Sequence, residues 1–142
     1  MKIQATSVFW NNAAYLIRGP AGCGKSRLAL KLLEHGARLI ADDLTRVIEE
    51  NGALWAGCPG KPGWLEVRPL GLISGFPVCE KAPIRAIINL EPECPDRIRT
   101  EQSEYLNQYP IPVFTLWNQD IALVEKIKVI DGLLSGTLKK EL

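Results

Sequence analysis

The chain has 142 residues, 46% of them hydrophobic, and its 17 lysines and arginines against 16 aspartates and glutamates leave a net charge of +1. Length and composition predict a single domain spanning residues 1–142. Near-neutral charge argues against the wide basic face of proteins that bind DNA or RNA. No apolar run is long enough to span a bilayer and the N-terminus lacks signal-peptide features, so we expect a cytoplasmic protein without membrane contact.

The spacing of the cysteines indicates neither a zinc site nor a redox motif. They are widely and unevenly spaced, without a C-x-x-C pair, at Cys23, Cys58, Cys79 and Cys94. Zinc sites and dithiol redox sites usually need closely paired cysteines. We therefore expect four reduced thiols.

The first elements predict a hairpin that leads into a glycine-rich loop. The run from Ile3 to Trp10 is typical of a strand, and Asn11-Asn12 offers a turn before the apolar run 14–17. After the loop, Leu28 and Leu32 recur at helical spacing, with Gly36 as a stop. The first 36 residues therefore predict a strand, a loop and a helix in succession.

The second half of this unit is a short strand that ends in two carboxylates. Residues 38–41 are largely apolar, and Asp42-Asp43 follows directly. Strand, loop, helix and strand in this order form the core of a phosphate-binding α/β unit.

The remaining sequence departs from simple β-α alternation. Asn51-Gly52 between two apolar runs indicates a β-hairpin. Prolines and glycines from Pro59 to Pro83 predict a loop, interrupted by a brief extended piece at 65–68. Two buried strands are then expected, at 85–90 and 111–117.

A final helix is predicted near the C-terminus. Asn118 is interpreted as its N-cap. Apolar residues recur behind it at helical spacing, namely Ile121, Val124, Ile127, Ile130 and Leu134.

The glycine-rich loop carries the most specific motif. Residues 19–26 read GPAGCGKS and match G-x-x-x-x-G-K-[ST] without a mismatch. The glycines let successive N–H groups turn inward around an anion, and the following helix points its positive end at the phosphates. Lys25 would reach the β- and γ-phosphates, and Ser26 would place its hydroxyl on Mg²⁺. We predict a nucleotide site formed by Gly19, Pro20, Ala21, Gly22, Cys23, Gly24, Lys25 and Ser26.

The acidic pair is the second candidate element of the site. Adjacent carboxylates after a strand are often only a turn or a helix cap, but a preceding phosphate loop favours metal binding and catalysis. We predict that Asp42 organises the Mg²⁺ shell, while Asp43 takes the proton from an attacking hydroxyl.

Four segments resemble the catalytic domain of the HPr kinase/phosphorylase family, bacterial enzymes that phosphorylate a serine of the phosphocarrier protein HPr. They are the phosphate loop, HGARLIADD at 35–43, LEVRPLGLI at 65–73 and Asp96-Arg97. They occur in the family's order over roughly residues 1–115. The resemblance implies an α/β phosphate-loop domain with a mixed sheet, similar to phosphoenolpyruvate carboxykinase, in a short form without the N-terminal domain of long members.

The same resemblance implies roles for individual residues. Lys25 would bind phosphate, Ser26 and Glu66 would hold Mg²⁺, Asp43 would be the catalytic base, and Arg97 would assist the transferring phosphoryl group. The implied cofactors are ATP and Mg²⁺. The implied partner is an HPr-like phosphocarrier of the bacterial phosphotransferase system, and the implied assembly is a homo-oligomer, which is a hexamer in relatives.

Three departures from the family pattern bear on activity. Gln4 stands where members commonly have a histidine, and Pro69 where they usually have a glycine. The stretch IPVFTLWN at 111–118 lacks the arginine of the family segment associated with dephosphorylation. The matching motifs still favour kinase chemistry. Because the segment associated with dephosphorylation is altered, whether phosphorolysis is retained stays open.

Two other functions stay open at this stage. A small-molecule or nucleoside monophosphate kinase would use Arg97 and Arg99 as a lid. A degenerate nucleotide-binding regulatory module without transfer activity would account for Gln4 and Pro69.

Overall fold

The computed structural model describes residues 1–94 and 102–141. Within these residues it contains eleven strands and two helices. In chain order they are β1 Lys2–Gln4, β2 Thr6–Trp10, β3 Ala13–Arg18, α1 Lys25–Glu34, β4 Arg38–Ala41, β5 Leu44–Glu50, β6 Ala53–Gly57, β7 Leu65–Val67, β8 Gly71–Ile73, β9 Lys81–Glu91, β10 Gln102–Leu106, β11 Tyr109–Trp117 and α2 Leu123–Ser135.

The predicted N-terminal hairpin is present. β2 and β3 pair antiparallel, and Asn11 and Asn12 between them have φ of 50° and 65°. Positive φ at both turn residues is typical of the tight turns whose twist matches the flanking strands, and asparagine tolerates it well. β4 pairs antiparallel with the other edge of β2, so α1 connects β3 to a strand two positions away.

The long strand β9 makes the sheet mixed. It pairs parallel with β3 on one side, and on the other side antiparallel with β6 and then parallel with β11. All the other pairings in this sheet are antiparallel. The predicted α/β fold with a mixed sheet is therefore confirmed.

The core lies on both faces of β3, because side chains alternate along a strand. Tyr15 and Ile17 belong to one buried cluster, to which α1 contributes Leu28 and Leu32 and α2 contributes Ile127. The intervening side chains face a second cluster formed largely by strand residues, which includes Leu16, Val47, Leu54, Ile87 and Ile111. Helices thus cover one face of the sheet, and its own outer strands curl over the other.

The proline- and glycine-rich region holds more regular structure than predicted. The hairpin at Asn51-Gly52 is confirmed by the antiparallel pair β5 and β6. The region 59–83, predicted as a loop with one extended piece, contains a two-stranded sheet of β7 and β8 and the start of β9. Pro83 lies inside strand β9, although it was expected in a loop. Strand β10 was not predicted. Pairing with neighbouring strands, and not local propensity, determines both strands.

The final helix begins later than predicted. Helix α2 starts at Leu123, and its first backbone bonds are supported by Asp120, whose Oδ1 accepts the N–H of Ala122 at 2.7 Å. Asn118 is therefore not the cap, since its amide contacts the phosphate loop instead. Ile121 precedes the helix and is 98% exposed, whereas Val124 and Ile127 are buried as expected.

A polar cluster around the buried Asp131 side chain joins the start of β3 to α2. Asp131 of α2 accepts hydrogen bonds from Asn11 Nδ2 at 2.7 Å, from Arg85 Nη1 at 2.6 Å and from the Tyr15 hydroxyl. Burial opposes ionisation of Asp131, but the bonds from Tyr15, Asn11 and Arg85 outweigh it and hold its pKa below the ordinary value. Burial, followed by the Asp131 carboxylate, raises the pKa of Tyr15. Arg85 compensates the charge of Asp131, and the hydrogen bonds of the cluster connect the sheet to helix α2.

Cys23, Cys58 and Cys79 are free thiols, as expected. Neither helix in the described part of the chain is long and apolar enough to cross a membrane.

Candidate active site

The glycine-rich loop connects β3 to α1 at one edge of the sheet. β3, β9 and β11 are mutually parallel, so their carboxyl ends meet at this edge, which is where α/β sheets usually bind ligands. Gly22 and Gly24 have φ of 79° and 100°, a region that glycine occupies at low cost. Gly24 caps α1 without a side-chain hydrogen bond, and the first helical turn holds no acidic residue. The helix start can therefore bind an anion.

Close packing fixes the beginning of the loop. A Cβ added to Gly19 would lie 2.5 Å from Cys23 Sγ and 2.8 Å from the carbonyl oxygen of Leu90 in β9. Cys23 is itself buried, with 5% of its surface exposed. The motif glycine is thus required by the contact between loop and sheet.

Lys25 lies over the loop that it is predicted to serve. Its Nζ donates to the carbonyl oxygens of Gly19 at 2.9 Å and Pro20 at 3.4 Å. The ammonium group is therefore held beside the anion-binding concavity, where it can reach bound phosphates.

Asp42 connects three separate elements. Its Oδ1 accepts the hydroxyl of Ser26 at 2.7 Å and the hydroxyl of Thr6 at 2.9 Å. Its Oδ2 accepts the backbone N–H of Glu66 in β7 at 3.0 Å. One carboxylate thus links the helix start, the second strand and the β7–β8 hairpin, which brings the phosphate loop and Glu66 to the same place.

Asp43 occupies a tight, strained turn. Its φ is 67°, uncommon for a residue with a side chain, and the N–H of Leu44 donates to the Asp42 carbonyl across it at 2.7 Å. The N–H of Asp43 donates to Thr6 Oγ1 at 3.1 Å. The side chain is exposed and borders the same cleft as Ser26. Strain of this kind is concentrated at functional sites, where the surroundings hold it.

The β7–β8 hairpin contributes an ion pair. Arg68 Nε lies 3.0 Å from Glu66 Oε1, and both side chains are more than half exposed. Gln4, at the end of β1, also borders the cleft. Gln4, one of the three departures noted in the sequence, therefore lies beside the predicted site.

These elements enclose a cleft of about 550 Å³, within the usual range for small-ligand sites. Its walls combine the phosphate loop, the acidic turn and the β7–β8 hairpin, through Gln4, Ala21, Gly22, Gly24, Lys25, Ser26, Arg27, Leu30, Asp42, Asp43, Glu66, Val67 and Arg68.

The oxygen donors suit magnesium bound together with phosphate. Within residues 1–94 and 102–141, no group of three or more His, Cys, Asp or Glu side chains could hold a metal ion by itself. Mg²⁺ is commonly held by one or two protein oxygens, several waters and the phosphates of the substrate. The hydroxyl of Ser26 beside the Asp42 carboxylate is such an incomplete donor set.

The structure brings together most of the residues predicted from sequence. Lys25, Ser26, Asp42, Asp43 and Glu66 all line the cleft. Asp96, Arg97 and Arg99 lie outside the described residues.

Thr6 and Asn118 contact the site and were not predicted to do so. Thr6 bonds both acidic residues, and Asn118 donates its Nδ2 to the Cys23 carbonyl oxygen at 3.1 Å. In the sequence alone, Thr6 is typical of a strand residue and Asn118 is typical of a helix N-cap. Their contacts span 36 and 95 positions, so no local pattern signals them.

The chain is similar in sequence to a family model and to curated relatives. The family model of the HPr Serine kinase C-terminal domain matches residues 6–104. The HPr kinase/phosphorylase of Clostridium novyi (strain NT) is 42% identical over 89 residues, covering 58% of this chain and 29% of that protein. The homologue of the same name from Lacticaseibacillus casei (strain BL23) is 34% identical over 114 residues, covering 71% of this chain and 36% of that protein. The chain thus spans about a third of the length of these relatives.

A solved structure shares the fold. The Hpr(Ser) kinase/phosphatase from Coxiella burnetii superposes with a TM-score of 0.80 at 21% sequence identity, covering 96% of this chain and 93% of that chain. Taken with the family match over residues 6–104, the chain belongs to the HPr Serine kinase C-terminal domain family.

Proposed function

We propose that this protein is an ATP-dependent serine protein kinase that phosphorylates an HPr-like phosphocarrier of the bacterial phosphotransferase system. The observation that carries the proposal is the 2.7 Å hydrogen bond from the phosphate-loop hydroxyl of Ser26 to Asp42, with Asp43 exposed to the same cleft. Membership of the family supports the choice of reaction and acceptor.

Nucleotide phosphates would bind at the loop and the start of α1. The left-handed glycines Gly22 and Gly24 allow N–H groups to converge there, and the helix dipole adds positive potential. Lys25 supplies a full charge beside them. These groups act on the charge of the transferring phosphoryl group, which is the main task in this type of reaction.

Ser26 and Glu66 are proposed to hold Mg²⁺, with Asp42 organising the surrounding shell. Bound there, the ion would neutralise charge on the β- and γ-phosphates. The bonds from Ser26 and from the Glu66 N–H to Asp42 support this, because they fix both elements around one carboxylate.

Asp43 is proposed as the general base. The acceptor serine would lose its proton to the Asp43 carboxylate as its oxygen bonds to the γ-phosphorus, while the bond from that phosphorus to the bridging oxygen of ADP breaks. The exposure of Asp43 to the cleft supports this role, since a protein hydroxyl must reach the base from outside. The family resemblance adds Arg97 as the residue that assists the transferring group.

The proposal also includes a homo-oligomer, which sedimentation of the purified protein would test. Phosphorolysis is a separate question, because the stretch at 111–118 lacks the family's arginine. Incubating phosphorylated carrier with inorganic phosphate and measuring pyrophosphate release would answer it.

One observation favours a second candidate, a nucleotide-binding regulatory module without transfer. Gln4 borders the cleft at the position of the family's histidine, so an imidazole is replaced by an amide that does not titrate. A module of this kind would bind nucleotide through the same loop.

Phosphotransfer to a purified HPr-like carrier with Mg²⁺ and γ-labelled ATP tests the proposal. We expect phosphoserine on the carrier, detected by mass spectrometry and lost in Lys25→Met. Lys31→Met, which removes an exposed lysine from the same helix, should retain transfer. Nucleotide binding without phosphoserine on any such carrier would support the regulatory module, and phosphorylation of small acceptors alone would indicate a small-molecule kinase.

A further inference from the structure

We infer that Asn118 is a positioning residue for the phosphate loop, acting through the Cys23–Gly24 peptide. The inference rests on the proposed function, because it assumes that this loop binds nucleotide phosphates. Asn118 follows β11 directly, and its Nδ2 donates to the carbonyl oxygen of Cys23 at 3.1 Å.

A bond to this carbonyl fixes the orientation of the next N–H group. The C=O of Cys23 and the N–H of Gly24 belong to one planar trans peptide, so they point in opposite directions. If the carbonyl is directed towards Asn118, the Gly24 N–H is directed away from it. Gly24 borders the cleft with φ 100° and ψ 25° at the start of α1, where converging N–H groups bind anions.

Asn118 is itself held firmly enough to act as a support. Its backbone N–H donates to the carbonyl of Glu91 at the end of β9 at 2.8 Å. The indole Nε1 of the preceding Trp117 donates to the carbonyl of Pro92 at 3.3 Å. Two adjacent contacts thus tie the end of β11 to the end of β9, against which Gly19 also packs.

The loop is anchored at Cys23 from two directions. The side chain of Cys23 is buried in the core beneath the helices, and its carbonyl accepts the Asn118 amide. Without that bond the peptide could rotate while the thiol stays in place. Asn118 therefore controls the direction of one peptide, whereas the core controls where the loop lies.

Among the described residues, the side-chain amide of Asn118 is hydrogen-bonded only through its nitrogen. Its Oδ1 is buried and has no hydrogen-bond partner among the described residues. An unpaired buried acceptor destabilises the folded state, so an apolar side chain of similar shape removes that cost together with the bond to Cys23. Losing the bond to Cys23 lowers stability, whereas removing the unpaired acceptor raises it, so the two effects on stability oppose each other. Removing the unpaired acceptor does not offset the effect of the lost bond on ligand binding.

Equilibrium binding to wild type and Asn118→Leu tests the inference, with MgADP and magnesium pyrophosphate as probes. Because the bond to Cys23 is lost and the Gly24 N–H is no longer held in one direction, we expect both dissociation constants to rise about 5- to 20-fold. The thermal midpoint without ligand should stay within about 3 °C, because the lost bond and the removed unpaired acceptor offset each other. Asn118→Asp should bind more weakly still, since an ionised carboxylate cannot donate to the carbonyl and repels phosphate.

Asn107→Ala is the matched control, because its amide donates to Glu49 on the surface at 3.1 Å and touches no part of the loop. It should leave both dissociation constants unchanged. If Asn118→Leu does not fold, Asn118→Ala carries the same expectations for the two dissociation constants, since alanine also removes the bond to Cys23 and fits within the space of asparagine.

Two results would overturn the inference while leaving the proposed function in place. One is unchanged affinity in Asn118→Leu, and the other is weaker MgADP binding with unchanged pyrophosphate binding, which would indicate a contact to the nucleoside. If wild type binds neither probe, the proposed function and this inference fail together.

Discussion

Two polar groups of residues lie at opposite ends of strand β3 and are built in opposite ways. At the start of β3, Asp131 is buried and accepts hydrogen bonds from Asn11, Tyr15 and Arg85. At the end of β3, Asp43 and Glu66 are exposed to a cleft. The first arrangement uses the Asp131 carboxylate in internal hydrogen bonds, whereas the second leaves carboxylate oxygen atoms accessible.

The residues near one end of β3 are arranged for stability, and those near the other end are arranged for binding and catalysis. Buried charges are tolerated only when they are paired and bonded, so the Asp131 cluster adds to the free energy of unfolding only as a complete set. Exposed carboxylates contribute little to stability, so their placement is free to serve binding and catalysis. Substitutions at the two ends should therefore affect different measurements.

The largest expected effect is on phosphotransfer in Asp43→Asn. Loss of the proposed general base should slow transfer to the HPr-like carrier about 100- to 10,000-fold, while MgADP affinity changes less than about 3-fold. Single-turnover transfer and equilibrium nucleotide binding measure the two quantities. Equal losses in transfer and in nucleotide affinity would show that Asp43 serves nucleotide binding and not catalysis. The contrast between a stabilising cluster and a catalytic cleft would then be wrong for Asp43.

The next effect is on stability in Asp131→Asn. Removing the charge leaves half-buried Arg85 without its counter-ion and weakens the bonded set, which should lower the free energy of unfolding by about 2–3 kcal/mol. Urea unfolding at neutral pH measures this, and Glu125→Gln on the exposed face of α2 should change it by less than about 1 kcal/mol. Nucleotide affinity below the unfolding transition should be unchanged, and a clear loss would contradict the separation.

The same cluster predicts a pH dependence. Because the pKa of Asp131 in the folded state lies below its ordinary 3.8, its stabilisation is fully present above about pH 3.8 and is lost as the pH falls through the folded-state pKa. The difference in unfolding free energy between wild type and Asp131→Asn should therefore narrow below about pH 3.8. A gap that is constant between pH 7 and pH 3 would mean that the ionised carboxylate is not the stabilising form.

The smallest effect is expected for an ion pair of intermediate exposure. Arg18, directly before the phosphate loop, bonds both oxygens of Glu104 at 2.7 and 2.9 Å and lowers the pKa of that carboxyl. Since Glu104 is 40% exposed, solvent screens the pair, and Glu104→Gln should cost less than about 1 kcal/mol. That cost should shrink further in 1 M NaCl, and a salt-independent loss above 2 kcal/mol would place this pair with the buried cluster instead.

Local patterns predicted the parts of the fold that depend on neighbouring residues. Asn11-Asn12 and Asn51-Gly52 gave two hairpins because their backbones tolerate positive φ. The apolar period of Leu28 and Leu32 gave helix α1. Strand β10 and the β7–β8 pair were missed, since a short strand in a proline-rich region is stabilised by its partner and not by its own sequence.

The same division applies to the candidate site. GPAGCGKS and the acidic pair after β4 were visible as motifs, and the structure places both on one cleft. The incorrect assignment of Asn118 as a cap has a physical reason, because asparagine before an apolar helical run is a good N-cap in most proteins. Here the end of β11 directs its amide to the loop, and Asp120 serves the helix start.

The sequence by itself determined the glycine-rich motif, the acidic pair, the family resemblance and the order of the main elements, because each depends on residues close together in the chain. Only the tertiary structure decided that Asp42 joins Ser26 to the backbone of Glu66, that Thr6 supports the acidic turn, and that Asn118 contacts Cys23. These contacts join residues 16 to 95 positions apart. The contact of Asn118 follows from the pairing of β3, β9 and β11, which brings distant strand ends to one edge of the sheet. The contacts of the acidic pair with Thr6 follow from the pairing of β4 with β2.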